Sequence, residues 1–134
     1  MFSLGEKMSK SKAINLSPVL LAFVGDAVYS LFIREKLTFE ADYKLNTINN
    51  LAVSEVRASA QAEFVNSIKD LFTEEEIGIF KRGRNAKKTT RSKSASASDY
   101  NSSTGFEAVL GYLYLIGDVD RLNFLLNKGN KDEG

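Results

Sequence analysis

Two acidic residues, Asp26 and Glu107, stand in the sequence where a charge is costly. Asp26 is the only charged residue in residues 18–33, and Glu107 is the only one in residues 106–116. Both stretches are apolar almost all round a helix, which predicts two buried helices. Because a buried carboxylate without a partner is strongly destabilising, the sequence predicts a partner for each of these residues.

Two kinds of partner fit these carboxylates, and the residues alone leave both open. The first is a structural ion pair. Arg34 lies eight residues after Asp26, about 12 Å along a helix and too far for direct pairing, whereas Arg57 could reach if its helix packs there. The second is a divalent cation that Asp26 and Glu107 share by facing each other.

Glycines stand beside both carboxylates. Gly25 precedes Asp26, and Gly111 follows Glu107 by four residues, on the same helical face. The missing side chains would let an ion or a phosphate approach the carboxylates. Tight packing of two helices explains the same glycines equally well.

Neither cysteine nor histidine occurs in the sequence. Disulfides, thiolate nucleophiles and cysteine-based zinc sites are therefore excluded, and so is the commonest general base. An enzyme with this composition must use carboxylates, hydroxyls, amines or a hard metal ion. Carboxylate oxygens suit Mg²⁺ or Mn²⁺.

Basic residues are concentrated in one segment, residues 81–93. Seven of the 18 basic residues lie there, and no acidic residue occurs between Glu76 and Asp99. The rest of the chain has 11 basic and 17 acidic residues, a net charge of −6. Such a segment predicts a localised anion-binding site, and the alternative is a solvated loop without a partner. The seven residues are Lys81, Arg82, Arg84, Lys87, Lys88, Arg91 and Lys93.

The pattern of apolar and capping residues predicts an all-α fold in one domain over residues 1–134. Ser17 with Pro18, the Thr73–Glu76 capping box and Asp118 mark three helix starts. Residues 1–15 are expected to be flexible, and residues 82–102 to form a basic loop. No apolar run is long enough to span a membrane and no secretory signal is recognised, so a cytoplasmic location is expected. Helices are predicted over about residues 18–37, 44–53, 54–68, 74–81, 103–116 and 119–127.

Three sequence blocks, in order, resemble the ribonuclease III family. The first is LAFVGDAVYSLFIRE at residues 21–35, with its Gly-Asp-Ala step, and the second is STGFEAVLGYLYL at residues 103–115. The third, KRGRNAK at residues 81–87, resembles the basic segment of the short bacterial branch, Mini-ribonuclease III. The blocks and their spacing cover residues 17–126, which is most of the chain.

The resemblance implies a homodimeric, all-helical enzyme that hydrolyses double-stranded RNA, with Asp26 and Glu107 as catalytic metal ligands. Mg²⁺ would be the cofactor, with Mn²⁺ as a substitute, and the substrate of this branch would be the 23S ribosomal RNA precursor. The resemblance to the short branch also implies that the double-stranded-RNA-binding domain of full-length ribonuclease III is absent. The basic segment, including Asn85, would therefore make part of the RNA contact.

The chain departs from full-length ribonuclease III at two positions beside the site. Ala22 stands where the larger enzymes have Glu, and Thr104 stands where they have Asp. The Mini branch resembles this chain at both positions, so the activity is still expected. The number of metal ions at the site stays open. Thr104 would support the site by a hydrogen bond to a metal-bound water or a phosphate, or else serve as a helix N-cap or a core hydroxyl.

Two other functions are compatible with the composition. One is a non-catalytic ribonuclease-III-like protein that binds structured RNA or a ribosome precursor, and the other is a helical protein-interaction module. Neither function needs carboxylates within apolar helices, so Asp26 and Glu107 favour the nuclease.

Overall fold

The computed structural model describes residues 5–87 and 96–130, and every regular element in these ranges is helical. The all-α fold class predicted from the sequence is confirmed. No helix in the described ranges has the length and apolarity that a membrane span requires. The α-helices are α1 (Lys10–Ile14), α2 (Pro18–Glu40), α3 (Leu45–Val56), α4 (Ala58–Ile68), α5 (Glu74–Asn85), α6 (Ala97–Leu115) and α7 (Val119–Leu126).

Helix α6 is the centre of the core. It packs against α2, α5 and α4, and it also contacts α7 and α1. Apart from Glu107, its sequence is apolar on all sides after Gly105, which is why it can be surrounded by other helices. The fully buried side chains of α6 are Phe106, Ala108, Val109, Leu110 and Tyr112.

Side-chain caps begin the helices where the sequence predicts them. The Ser17 hydroxyl accepts the N–H of Val19, next to Pro18 in the first turn of α2. Thr73 and Glu76 form the reciprocal capping box of α5. These caps are confirmed, as is that of α7, where Asp118 accepts the N–H of Arg121.

A buried ion pair ties α7 to the start of α5. Arg121 donates to both carboxylate oxygens of Glu76, at 2.8 and 2.7 Å, and to the carbonyl of Leu71 at 2.6 Å. Glu76 also accepts the N–H of Thr73, so its buried charge is fully paired. This ion pair includes neither Asp26 nor Glu107.

Several predicted boundaries were wrong. Helix α5 continues to Asn85, and α6 begins at Ala97 with Ser96 as its N-cap, so both ends of the predicted loop, residues 82–102, are helical. These helical turns were not predicted because they consist largely of polar surface residues, a composition that is also typical of loops. The break between α3 and α4 falls at Arg57, whose ψ of 157° interrupts the helix.

The N-terminal segment contains a helix that the sequence analysis did not predict. Helix α1 lies within residues 1–15, which were expected to be flexible. The Met8 N–H donates to the carbonyl of Leu115 at 2.8 Å, and Ala13 is fully buried. These contacts attach the described part of this segment to the core.

Helix α2 is only partly buried, contrary to the prediction from its composition. Leu20, Phe23 and Leu31 are 55%, 77% and 48% exposed, and Ala27 lies on the same face of the helix. Asp26 is exposed as well. A helix that is apolar on all sides can be buried on all sides. Its composition does not show that other parts of the same chain cover each side.

Candidate active site

Helices α2 and α6 cross with their backbones in contact, at two glycines. A Cβ atom on Gly25 would overlap the carbonyl oxygen of Glu107, and one on Gly111 would overlap the carbonyl oxygen of Leu21. The two glycines therefore allow the helices to approach each other at this crossing. Of the two explanations that the sequence left open, the structure supports tight helix packing.

The crossing places Asp26 and Glu107 on the same cleft, which has a volume of about 500 Å³. Asp26 is exposed at the mouth of this cleft, and Glu107 is half-buried. The juxtaposition that the sequence analysis predicted is present, whereas the predicted burial of Asp26 was wrong. The side chains of Gln61, Thr104 and Arg57 also line this cleft.

The environment of Glu107 favours its protonated form. Burial, a side-chain hydrogen bond with Asp26 and the negative charge of Asp26 raise the pKa of Glu107 from 4.5 to about 8, and a hydrogen bond from Gln61 opposes them. A proton on Glu107 removes the repulsion between two neighbouring negative charges. A cation between them would replace that proton.

Gln61 is a site residue that the sequence analysis missed. Its side-chain amide donates to Oε2 of Glu107 at 3.2 Å and to the carbonyl of Val56 at 2.7 Å. Gln61 is 2% exposed, on a helix whose neighbouring core residues are Ala62 and Val65. A polar residue on the apolar face of a predicted helix was the available signal.

The structural ion pair proposed as the alternative partner does not form. Arg57 lines the cleft but is exposed at the break between α3 and α4. Within residues 5–87 and 96–130, the salt bridges are Lys36 with Glu40 and Glu55, and Arg121 with Glu76. Asp26 and Glu107 are therefore acidic neighbours, and no cationic side chain in the described ranges forms a salt bridge with either.

The donor set of this cleft fits a hard divalent cation. Asp26 and Glu107 offer carboxylate oxygens, and Mg²⁺ is commonly bound by one or two carboxylates while it keeps several waters. No cluster of three or more acidic residues with the arrangement of a metal site occurs in the described part of the chain. The two carboxylates would therefore hold the ion with few protein ligands.

Thr104 lies within α6 and does not begin it. Its hydroxyl is buried and donates to the carbonyl of Tyr100 at 3.0 Å, one helical turn earlier. The N-cap alternative was wrong, because Ser96 has that position. Thr104 is among the residues that line the cleft, and its hydroxyl oxygen keeps the capacity to accept a hydrogen bond, so its supporting role stays a prediction.

A second glycine contact brings the basic end of α5 close to this site. A Cβ atom on Gly83 would lie 2.8 Å from Cα of Gly105 and 3.1 Å from the carbonyl oxygen of Thr104. The last turns of α5 therefore pack on α6 within one turn of Glu107. Sequence order alone did not indicate that the basic segment and the carboxylates are neighbours.

The basic residues at this end of α5 differ in their surroundings. Arg82 donates to the carbonyls of Ile14 at 2.8 Å and Leu16 at 3.1 Å, which ties α5 to the segment before α2. The Arg84 guanidinium lies 5.8 Å from the centre of the Phe80 ring and donates to Asn85 Oδ1. Lys81 and Lys87 are exposed. The predicted RNA contacts Lys88, Arg91 and Lys93 lie outside the described residues.

The fold is that of a known protein class. The ribonuclease III domain model matches residues 20–118, a range that includes Asp26 and Glu107. The chain therefore belongs to the ribonuclease III family, whose members depend on divalent metal in general.

Individual relatives define the branch of the family. Mini-ribonuclease 3 of Thermoanaerobacter sp. is 47% identical over 90% of this chain and 85% of its own length. Mini-ribonuclease 3 of Clostridium tetani is 41% identical over 93% of this chain and 83% of its own. The crystal structure of a Fusobacterium nucleatum protein has a TM-score of 0.76 at 31% identity, and the similarity covers 90% of this chain and 96% of that one. The predicted resemblance to Mini-ribonuclease III is confirmed.

Proposed function

We propose that this chain is an endoribonuclease that hydrolyses double-stranded RNA with a divalent cation held by Asp26 and Glu107. The observation that carries the proposal is the placement of these two carboxylates on one cleft, at the crossing of α2 and α6. Mg²⁺ is the proposed ion, and Mn²⁺ is expected to substitute because it accepts the same oxygen ligands. Membership of the ribonuclease III family supports the proposed reaction.

The residues of the cleft would have different roles in phosphodiester hydrolysis. When bound, Mg²⁺ lowers the pKa of a water molecule and neutralises charge on the scissile phosphate. Asp26 is exposed and can therefore approach both the ion and the backbone of a bound RNA. Glu107 accepts a hydrogen bond from the buried Gln61. Its carboxyl group must be ionised to bind the ion. Thr104 offers a hydroxyl oxygen on the same cleft.

The contact with RNA is proposed to involve the basic segment at the end of α5. Lys81 and Lys87 are exposed there, and the helix packs on α6 close to Glu107. A duplex cut at Glu107 would therefore pass within reach of this segment. Recognition would depend on A-form shape, phosphates and 2′-hydroxyl groups, because the deep major groove of duplex RNA hides the base edges.

A homodimer is part of the proposal, because the exposed face of α2 is apolar. Leu20, Phe23 and Leu31 form a stripe on the helix that also carries Asp26. A two-fold axis at this face would bury the stripe and bring two active sites together, as the cleavage of both strands requires. The apolar composition of α2 led to the wrong prediction that this face is buried within one chain. The same composition supports its burial between two chains.

The proposed natural substrate is the precursor of 23S ribosomal RNA, met in the cytoplasm. Support comes from the relatives, which are bacterial proteins named Mini-ribonuclease 3. Maturation of this RNA is the role that the sequence resemblance implies for the branch.

The experiment is incubation of the purified protein with long double-stranded RNA, with Mg²⁺ or with chelator. Cleavage is expected only with the metal, and only in the duplex, while single-stranded RNA and duplex DNA of the same sequence stay intact. Binding of the duplex without cleavage under all metal conditions would instead support the non-catalytic RNA-binding function. Equal cleavage of single strands would assign the protein to another class of nuclease.

A further inference from the structure

Gln61 is the only glutamine in the sequence, and it is buried behind the candidate metal site. It lies on α4, a helix that contributes neither of the two carboxylates. Its two hydrogen bonds join the last residue of α3, Val56, to the side chain of Glu107 on α6. One side chain therefore connects the carboxylate to a fixed backbone position in a third part of the fold.

The hydrogen bonds determine how the amide of Gln61 is oriented. The carbonyl oxygen of Val56 can only accept a hydrogen bond, and it lies 2.7 Å from the amide nitrogen, so the NH₂ group must face it. An amide rotated by half a turn would place its oxygen against two other oxygens. Both amide hydrogens are used in the observed orientation.

The amide oxygen of Gln61 destabilises the fold, and a residue with only a packing role would avoid this effect. Oε1 of Gln61 is buried and has no hydrogen-bond partner within the described residues. A buried acceptor without a donor destabilises a protein, and an apolar side chain of similar volume avoids this loss. The glutamine is therefore better explained by what its NH₂ group does for Glu107 than by packing.

We propose that Gln61 is a positioning residue that fixes the carboxylate of Glu107 for cation binding, an inference that rests on the proposed function. The bond to Oε2 restrains rotation of the carboxylate and leaves its other lone pairs available to the ion. A neutral amide does this without competing with the cation. Lysine or arginine in its place would neutralise Glu107 and repel the ion.

Direct titration of Mn²⁺ into the RNA-free protein, followed by the paramagnetic signal of free Mn²⁺, tests the proposal without relying on activity. Gln61→Met keeps the approximate volume and removes both hydrogen bonds. Loss of a residue that orients a metal ligand typically weakens binding by about 10- to 100-fold, so the dissociation constant for Mn²⁺ should rise at least about tenfold. On duplex RNA, kcat should fall while KM changes little, because the buried Gln61 does not contact RNA.

Two further variants separate positioning from a general effect on the fold. Ser67→Ala, on the same helix, removes the bond from the hydroxyl to the Phe64 carbonyl, far from the cleft, and should leave Mn²⁺ binding unchanged. In a Glu107→Gln background, Gln61→Met should weaken Mn²⁺ binding no further, because the carboxylate that it positions is gone. If Gln61→Met does not fold, Gln61→Asn provides the same test, since its shorter amide cannot reach both acceptors.

The outcomes distinguish this inference from the proposed function. Mn²⁺ affinity within twofold of the wild type in Gln61→Met, together with a loss in Glu107→Gln, would overturn the role of Gln61 and leave the metal site in place. Unchanged affinity in Glu107→Gln would overturn the metal site itself. A loss in Gln61→Met that persists in the Glu107→Gln background would show an effect on the fold and overturn the positioning role.

Discussion

Gly25 and Glu107 are in direct backbone contact, because the space of a Cβ atom on Gly25 is filled by the carbonyl oxygen of Glu107. Asp26 is the next residue after Gly25, so the contact that joins the two helices also sets how far apart the two carboxylates lie. The reciprocal contact of Gly111 with the Leu21 carbonyl fixes the crossing at a second point. The geometry of the proposed metal site is therefore a consequence of helix packing.

Alanine at either crossing glycine should destabilise the protein and displace the site. A Cβ atom would meet backbone atoms, which cannot rotate away, so Gly25→Ala and Gly111→Ala should each lower the free energy of unfolding by about 3 kcal/mol, the upper part of the usual range for overpacking. Cleavage should fall by about 100-fold even where the variants are folded, since a shift of about 1 Å misplaces the carboxylates. Urea unfolding and single-turnover cleavage measure the two effects.

Gly78 is the matched control for these substitutions. It lies inside α5, is exposed, and has no atom within 4 Å of the Cβ position. Gly78→Ala should raise the free energy of unfolding by about 0.5–1 kcal/mol, because alanine restricts the unfolded chain and favours the helix. Equal stability of Gly25→Ala and Gly78→Ala would contradict the close approach of α2 and α6.

Removal of either carboxylate charge should abolish cleavage without unfolding the protein. Asp26→Asn and Glu107→Gln preserve shape and remove the charge that would hold the cation. The cleavage rate should fall at least about 100-fold, the scale for loss of one key electrostatic group. Circular dichroism checks the fold, and rates at several Mg²⁺ and Mn²⁺ concentrations check the metal. Turnover like the wild type in Asp26→Asn would refute its assignment.

The metal-free protein should lose stability as the pH rises from 4.5 to 8. Burial, followed by the hydrogen bond and the charge of Asp26, raises the pKa of Glu107 to about 8, so the folded state keeps a proton that the unfolded state releases above 4.5. Where the native state binds more protons, stability falls with rising pH. Because glutamine does not titrate, Glu107→Gln should gain stability relative to the wild type across this window.

Unfolding by urea at pH 5, 6.5 and 8, with and without Mg²⁺, measures this linkage. The cation binds the ionised carboxylate, so its stabilising effect on the wild type should be larger at pH 8 than at pH 5. The difference between the wild type and Glu107→Gln isolates this group from the other carboxylates. A difference independent of pH would show that Glu107 has an ordinary pKa.

The parts of the structure that were predictable from sequence are those encoded over a few residues. The caps at Ser17, Thr73 and Asp118 were found because each depends on neighbours two or three positions away. That Asp26 and Glu107 face each other was one of two alternatives that the residues left open, because each isolated carboxylate in an apolar stretch requires a partner.

What the sequence did not predict depends on contacts between distant segments. Gln61 contacts a residue 46 positions away, and nothing in its local pattern identifies that partner. The attachment of Arg82 to the Ile14 carbonyl spans 68 positions. The exposed face of α2 was misassigned for a related reason, since hydrophobicity does not distinguish burial within a chain from burial between chains.

Charges on the exposed stripe of α2 should prevent dimerisation. The wild type is expected to sediment at about twice 14.8 kDa, and Leu20→Lys combined with Leu31→Lys should sediment as a monomer. Neither leucine lines the cleft, and both are exposed, so the fold of the monomer should be retained. Ile77→Lys, at an exposed apolar residue of α5, should remain dimeric. A wild-type monomer that still cuts both strands in one encounter would contradict the two-fold arrangement.

Basic residues that bind RNA and basic residues that support the fold should respond differently to substitution by alanine. Each phosphate neutralised by a protein cation releases counterions, so affinity for RNA falls with salt. Lys87→Ala combined with Lys88→Ala should weaken binding and reduce the log–log salt slope by about 1 to 2 units. Lys87 is exposed, and Lys88, outside the described residues, enters the prediction through its charge alone. Cleavage at saturating RNA should change much less, because the carboxylates lie on other helices.

Arg82→Ala is the contrasting variant in this comparison. The guanidinium of Arg82 is already bonded to the carbonyls of Ile14 and Leu16, so its removal should lower the free energy of unfolding by about 1 kcal/mol. The salt slope should stay close to that of the wild type, because a side chain held by two backbone carbonyls has less freedom to follow a phosphate. Binding isotherms at four salt concentrations, on an Asp26→Asn background that cannot cut the RNA, compare the variants directly. A larger change in slope for Arg82→Ala than for the lysine pair would reverse these roles, and an unchanged slope for both would leave the basic segment without a part in RNA binding.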